Sequence, residues 1–269
     1  MKSPARIIGV ALLIASVIAV PLKEFQTRHE IRRSAGKERR TSRPYIPGTS
    51  DVLHPNGTSQ KTYSSNWAGA VLIGTGYISV SADFTVPVPR SPKSADPNTN
   101  YCASAWVGID GDTCNTAILQ TGVAFCIQGG TASYDAWYEW YPDYAHDFSP
   151  NIRISAGNVV RVAVNATSKS SGTATIENLS TGEYVSHIFP NALGGDLCEY
   201  NAEWIVEDFT VNNAMAPFAD FGTVAFTNAE ASDGTHTYGP SNATVMDIYQ
   251  GQVLTSSSVT ERGVIVSYT

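Results

Sequence analysis

Four short runs of this 269-residue chain place unusual residues on one side of an extended backbone, where successive side chains point to opposite faces. In SAWVGID (104–110) Trp106, Gly108 and Asp110 share a face, and in AILQTG (117–122) Gln120 falls with Ile118. SYDAWYEWYP (133–142) puts Asp135, Trp137, Glu139 and Tyr141 on one side. AEWIVEDF (202–209) does the same with Glu203, Ile205 and Glu207. A face that alternates carboxylates with Trp or Tyr is poor core material, because burying an unpaired carboxylate is costly. It suits a cleft in which carboxyl groups hold and move protons. Two blander readings stand beside this one: the aromatic stretch as sandwich core with a solvated rim, and Glu203 and Glu207 as an ordinary exposed strand face. Spacing alone does not choose between Glu203 and Glu207.

Other hydrolytic chemistries lack their signatures. No GxSxG nucleophile elbow and no HExxH zinc motif occurs, and the two Asp-Thr/Ser-Gly loops of a two-lobed aspartic protease are absent. His146, His187 and His236 are the histidines after residue 61, and none has the context of a Ser-His or Cys-His pair. Carboxylate chemistry remains.

The elements that must position these residues read as strands. YISVSADFTV (77–86) alternates Ile78, Val80, Ala82 and Phe84 with Ser79, Ser81, Asp83 and Thr85, the period of a half-buried strand. VVRVAVNATS, GTATIEN, YVSHIF, GTVAFTN, VMDIYQ and VIVSYT continue the theme, with LSTGE, NALGGD and ASDGT as turns. No amphipathic helix and no internal repeat stands out. Many short strands at close spacing predict an all-β fold, an antiparallel β-sandwich of about 200 residues.

The N-terminal part differs in character. Residues 1–20, with Lys2 and Arg6 ahead of the apolar run IIGVALLIASVIAV, have the shape of a secretory signal peptide and are too short for a spanning helix. Residues 21–61 read as a basic pro-segment and linker, followed by a catalytic domain over 62–269. Residues 1–61 carry 11 of the 17 Lys+Arg and 4 of the 24 Asp+Glu, leaving 6 basic and 20 acidic residues for the body. A basic arm can bind nucleic acid or membrane. Beside an export signal and an acidic body, an internal partner is the better expectation, with the segment covering the cleft as an intramolecular inhibitor. With little fixed positive charge to repel itself as carboxylates protonate, the body is suited to acid.

Cys102, Cys114, Cys126 and Cys198 all lie in the body, where an exported chain forms disulfides; none is part of a CxxC pair and no His is near in sequence, so no metal is expected. The sequons at Asn56, Asn165, Asn178 and Asn242 fit an exported glycoprotein.

Several long words together resemble the glutamic peptidases, or eqolisins, a family of pepstatin-insensitive fungal acid endopeptidases. They are SSNWAGAVL (64–72), WVGIDGDTCNTAILQTG (106–122), YDAWYEWYPD (134–143), TATIENLSTGE (173–183) and NAEWIVEDF (201–209). Beyond about residue 210 the match is loose. The resemblance implies a β-sandwich of the concanavalin A-like type, two seven-stranded sheets with a concave catalytic face. It implies Glu207 and Gln120 as the catalytic pair, with Trp106, Asp110 and Glu139 around them; Trp137 and Tyr141 share the Glu139 face. It implies a Cys114–Cys198 bridge. Cys102 and Cys126 are extra to the family pattern and are left to pair with each other. No cofactor is implied. The expected partners are polypeptide substrates and the chain's own pro-segment, with no nucleic acid, no membrane after signal removal, a monomeric state and an extracellular location. A sandwich glycoside hydrolase and a lectin are the rival readings, since aromatic platforms and paired carboxylates also describe a sugar cleft. Neither gives Gln120 a role.

Overall fold

Period-two burial builds this molecule. Along Val159–Ser168, Val160, Val162, Val164 and Ala166 are buried while Val159, Arg161 and Asn165 are exposed, so the strand has one apolar face and needs a second layer to cover it. A computed structural model describes residues 39–48, 61–93 and 95–269. The signal-peptide reading and the Asn56 sequon fall outside them.

Two sheets supply each other's cover. The first runs in the order β2 (Lys61–Ser64), β17 (Thr244–Ile248), β3 (Trp67–Ile73), β12 (Asn201–Glu207), β5 (Tyr101–Ile109), β6 (Ile118–Gln128), β7 (Thr131–Tyr141), β8 (His146–Asp147). The second runs β11 (Glu183–Phe189), β10 (Ser171–Asn178), β9 (Val159–Ser168), β4 (Ser79–Thr85), β15 (Thr223–Ser232), β19 (Gly263–Tyr268), β18 (Thr255–Thr260), with β16 (Thr237–Tyr238) on β15. Pairing is antiparallel except between β2 and β17. Each sheet therefore has eight strands rather than the implied seven. The two-residue edge pieces β8 and β16 are what lengthen them.

The space between the sheets is filled by Ala103, Ala105, Val107, Leu119, Val123, Phe125, Trp140, Trp204 and Val206 from the first sheet against Phe84, Val160, Val162, Ile176 and Phe226 from the second. The other face of the first sheet carries a separate cluster of Trp67, Trp106, Ile118, Trp137, Ile205, Phe209 and Met246. In β12 all seven residues are buried, because this second face is covered as well. Part of the cover comes from residues 39–48, which composition assigns to the pro-segment and which belong to the same compact unit as the body. Their strand β1 (Arg40–Thr41) pairs with β13 (Thr210–Val211), itself paired with β14 (Ala214–Met215).

Candidate active site

Register across β12, β5, β6 and β7 sets the second face out in rows. Glu203, Gly108, Gln120 and Glu139 form one; Ile205, Trp106, Gly122 and Trp137 the next; Glu207, Ser104, Ala124 and Asp135 the third. The parity expected from sequence thus holds for all four runs as far as Ile109. Two glycines make room for the large rings. A Cβ on Gly122 would lie 2.5 Å from Trp106 Cβ and 2.3 Å from the Ala105 carbonyl oxygen, and one on Gly108 would lie 2.8 Å from Trp106 Cζ3.

Glu207 is fully buried. Its Oε2 accepts the Trp106 indole N–H at 3.0 Å and its Oε1 accepts the Arg43 backbone N–H at 3.1 Å. Burial pushes its carboxyl up to about 8, against the pull of the nearby Ser42 hydroxyl and of those two donors toward the ionised form, and the charge of Asp208 adds to the rise. Gln120 is also buried, and its Nε2 donates to the Ser42 carbonyl at 3.2 Å. Glu139 Oε2 accepts the Ser42 N–H at 3.1 Å, and burial holds this carboxyl well above the ordinary range; the charge of Glu207 adds to that, and the Ser42 N–H and Arg40 oppose it. Glu203 faces the same side with no hydrogen bond to either oxygen among the described residues. Burial, then the charges of Asp110 and Asp112, raise it well above the ordinary carboxylate value.

Trp137 lies in the middle row, its indole N–H donating to Ser104 Oγ at 2.9 Å, and Tyr141 packs at the edge of the same cluster. Asp110 follows β5 with a φ of 70°, and its carboxylate accepts four backbone N–H groups, from Cys198, Glu199, Tyr200 and Asn201, at 2.7 to 3.2 Å, while its charge still reaches Glu203. Strand parity gives no guide there because the strand has ended, and the residue clamps a loop.

Both disulfides form as expected, Cys114–Cys198 and Cys102–Cys126. Asp110 lies beside the first, but two bridged sulfurs and a carboxylate filled by backbone donors leave that cluster no metal-ligating capacity. Asn165 and Asn242 are exposed, whereas Asn178 is fully buried. Its Nδ2 donates to the Arg153 carbonyl and to Asn158 Oδ1, so the folded chain has no place for a glycan there, and the sequon is corrected to a structural asparagine.

The sequence reading did not find the residues that occupy the face. Arg40 is half-buried, with its guanidinium 5.4 Å from the Trp137 ring and 5.5 Å from the Phe209 ring. Burial works against its charge, and Asp135, Glu139 and Glu207 work for it. Asn66 holds the far side, its Nδ2 donating to the carbonyls of Arg43 and Pro44 and its Oδ1 accepting the Ile46 N–H at 3.0 Å. The charge split pointed to the segment, but nothing local marks Arg40, Ser42 and Arg43 among the other basic and small residues there. Asp208, which is buried, accepts from Gln250 Nε2 at 2.8 Å and is pushed by burial to about 7.

Residues 65–268 match the Peptidase A4 family, well past the point where the words in the sequence thin out. The chain is 55% identical over 274 residues to aspergillopepsin-2 of Aspergillus niger, covering 96% of each. It is 43% identical over 217 residues to scytalidopepsin B of Scytalidium lignicola, covering 78% of this chain and 80% of that one. Among solved structures it resembles scytalido-glutamic peptidase with a transition state analog inhibitor, at a TM-score of 0.70 and 42% identity over 76% of this chain and 98% of the other. It also resembles aspergilloglutamic peptidase from Aspergillus niger, at a TM-score of 0.61 and 65% identity over 63% of this chain and 99% of the other. With a β-sandwich, a carboxylate and amide facing one cleft, and these relatives, the chain belongs to the Peptidase A4 family of glutamic peptidases.

Proposed function

We propose that this glutamic endopeptidase is exported and works in acid through Glu207 and Gln120, without a cofactor and insensitive to pepstatin. The observation that carries the reading is that Gln120 and Glu207 grip the two edges of one peptide group, the carbonyl of Ser42 and the N–H of Arg43. In the open enzyme Glu207 regains solvent, its carboxyl falls back toward the ordinary glutamate value of about 4.3, and as carboxylate it takes a proton from water lying between it and Gln120. The Gln120 amide cannot titrate, so its N–H donates to the developing oxyanion at any pH. Glu207, now protonated, returns the proton to the departing amine. Trp106 aims the carboxylate through its indole N–H. The family assignment sets aside the glycoside hydrolase and lectin readings. The test is digestion of a denatured protein at pH 3.5 with and without pepstatin, with sites read by mass spectrometry. Equal digestion in both is expected, and loss of cleavage with pepstatin refutes the reading.

Latency belongs to the same proposal. Residues 39–48 cover the pair, and Arg40 brings a cation to the face that carries Asp135, Glu139 and Glu207. The pro-segment added in trans to mature, monomeric enzyme at pH 6 is expected to inhibit it. Salt should slow association, driven by exposed basic residues, more than it speeds release, because the half-buried Arg40 contacts are less screened than exposed ones. Absence of inhibition at pH 6 refutes latency by this segment, and an association rate that ignores salt refutes its electrostatic basis.

A further inference from the structure

The segment lies in the cleft as an extended chain bonded on both sides. Arg40 and Thr41 pair with Val211 and Thr210, the Ala145 N–H donates to the Arg40 carbonyl at 3.0 Å, and the Asn212 N–H donates to the Arg39 carbonyl at 3.0 Å. Beyond Ser42, the Tyr45 N–H donates to the Gly111 carbonyl at 2.9 Å, and Asn66 holds Arg43, Pro44 and Ile46. All these are main-chain bonds that any extended polypeptide offers, as in strand addition to a sheet edge. The peptide group at the centre of the run is the one between Ser42 and Arg43. Its carbonyl oxygen faces the amide of Gln120, where an oxyanion would be stabilised, and its nitrogen faces Glu207, where a leaving amine would be protonated.

We propose that the Ser42–Arg43 peptide bond is the first bond this enzyme cleaves in its own chain, the segment being bound in substrate register across the catalytic pair. The proposal rests on the Glu207 and Gln120 reading above. In hydrolysis water adds its OH to the Ser42 carbonyl carbon, the C–N bond breaks, and a proton carried by Glu207 goes to the Arg43 nitrogen. The ground state explains why the bond persists in the latent chain. The Arg43 N–H and the Trp106 indole each hold one oxygen of Glu207, so the base is engaged in the plane of the peptide rather than with a water above it. Attack follows once the segment lifts enough to admit water while Arg40, seated between Trp137 and Phe209, keeps the register.

The full chain, kept at neutral pH and then brought to pH 3.5, is sampled by N-terminal sequencing and mass spectrometry. A peptide of residues 37–48 is given to the matured enzyme at the same pH. The expected first new N-terminus is Arg43 in both, and the Glu207→Gln chain stays intact. Arg43→Pro, which removes the gripped N–H and alters only the segment, abolishes that cut in both formats. A first terminus other than Arg43 in either format overturns the proposal. So does an uncut Ser42–Arg43 bond in a preparation that digests an unrelated denatured protein. A preparation that fails on that protein too refutes instead the catalytic reading on which the proposal stands.

Discussion

Glu207→Gln is expected to leave the fold intact and to remove peptide cleavage by about 10⁴-fold or more, since one group acts as both base and acid and each role contributes about 10²–10⁴. Folding survives because the native site favours a neutral side chain, burial having already pushed this carboxyl up to about 8. The amide replaces it at the same volume, with one oxygen left to accept from Trp106 or Arg43. Gln120→Ala removes an uncharged oxyanion donor and should lower kcat by about 10²–10³ with KM changed little. Rates on a denatured protein at pH 3.5, with circular dichroism and Trp fluorescence to certify folding, settle both. A folded Glu207→Gln with near-normal turnover sinks the assignment and leaves Glu203, Glu139 and Asp135 as the other carboxyls in the three rows. Each of these faces the cleft, but Glu203 lacks a donor to hold it ionised, and Glu139 meets the Ser42 N–H rather than the gripped peptide group.

How far the sequence could lead is clearest at those carboxyls. Period-two parity correctly put Glu203, Glu207, Glu139, Gln120, Trp106 and Trp137 on one face, because strand geometry fixes that face whatever the neighbours are. It could not rank Glu207 above Glu203. What separates them is contact across chain: a Trp106 indole and an Arg43 N–H on the one, and no hydrogen bond among the described residues on the other. The family words made the choice. Asp110 shows another limit, where parity was carried one residue past the end of its strand into a positive-φ position and could not foresee four backbone N–H groups on its carboxylate. The packing of Arg40 was illegible for a further reason. One arginine among several in a basic leader looks solvated, and only three acidic groups and two rings contributed by distant strands and loops make its partial burial tolerable.

The crowd of buried carboxyls also predicts that the fold weakens as pH rises from about 5 to about 7, the reverse of ordinary acid denaturation. Burial raises Asp208 to about 7 and Glu139 and Glu203 well above their usual range, whereas unfolded carboxyls release their protons near about 4. Between those values the native chain holds protons that the unfolded chain has lost. Stability then falls with pH, by about 1.4 kcal/mol per pH unit for each such proton. Two groups alone give about 3 kcal/mol per unit, large against a total of about 5–15 kcal/mol. At about 2–4 °C per kcal/mol this lowers Tm on the order of 10 °C per unit. The measurement is urea unfolding at pH 4, 5, 6 and 7 in the Glu207→Gln chain, which does not digest itself and takes Glu207 out of the titration. Arg40 softens the loss at Glu139, and Gln250 softens it at Asp208, but Glu203 has only the acidic Asp110 and Asp112 near it. Glu203→Gln should therefore flatten the slope by about one proton and stabilise the chain at pH 7, with little change at pH 4, where the native carboxyl is already neutral. Stability that rises from pH 5 to 7, or a Glu203→Gln chain that is weaker at pH 7 than its parent, would show that these carboxyls are ionised in the native state and that burial does not govern them.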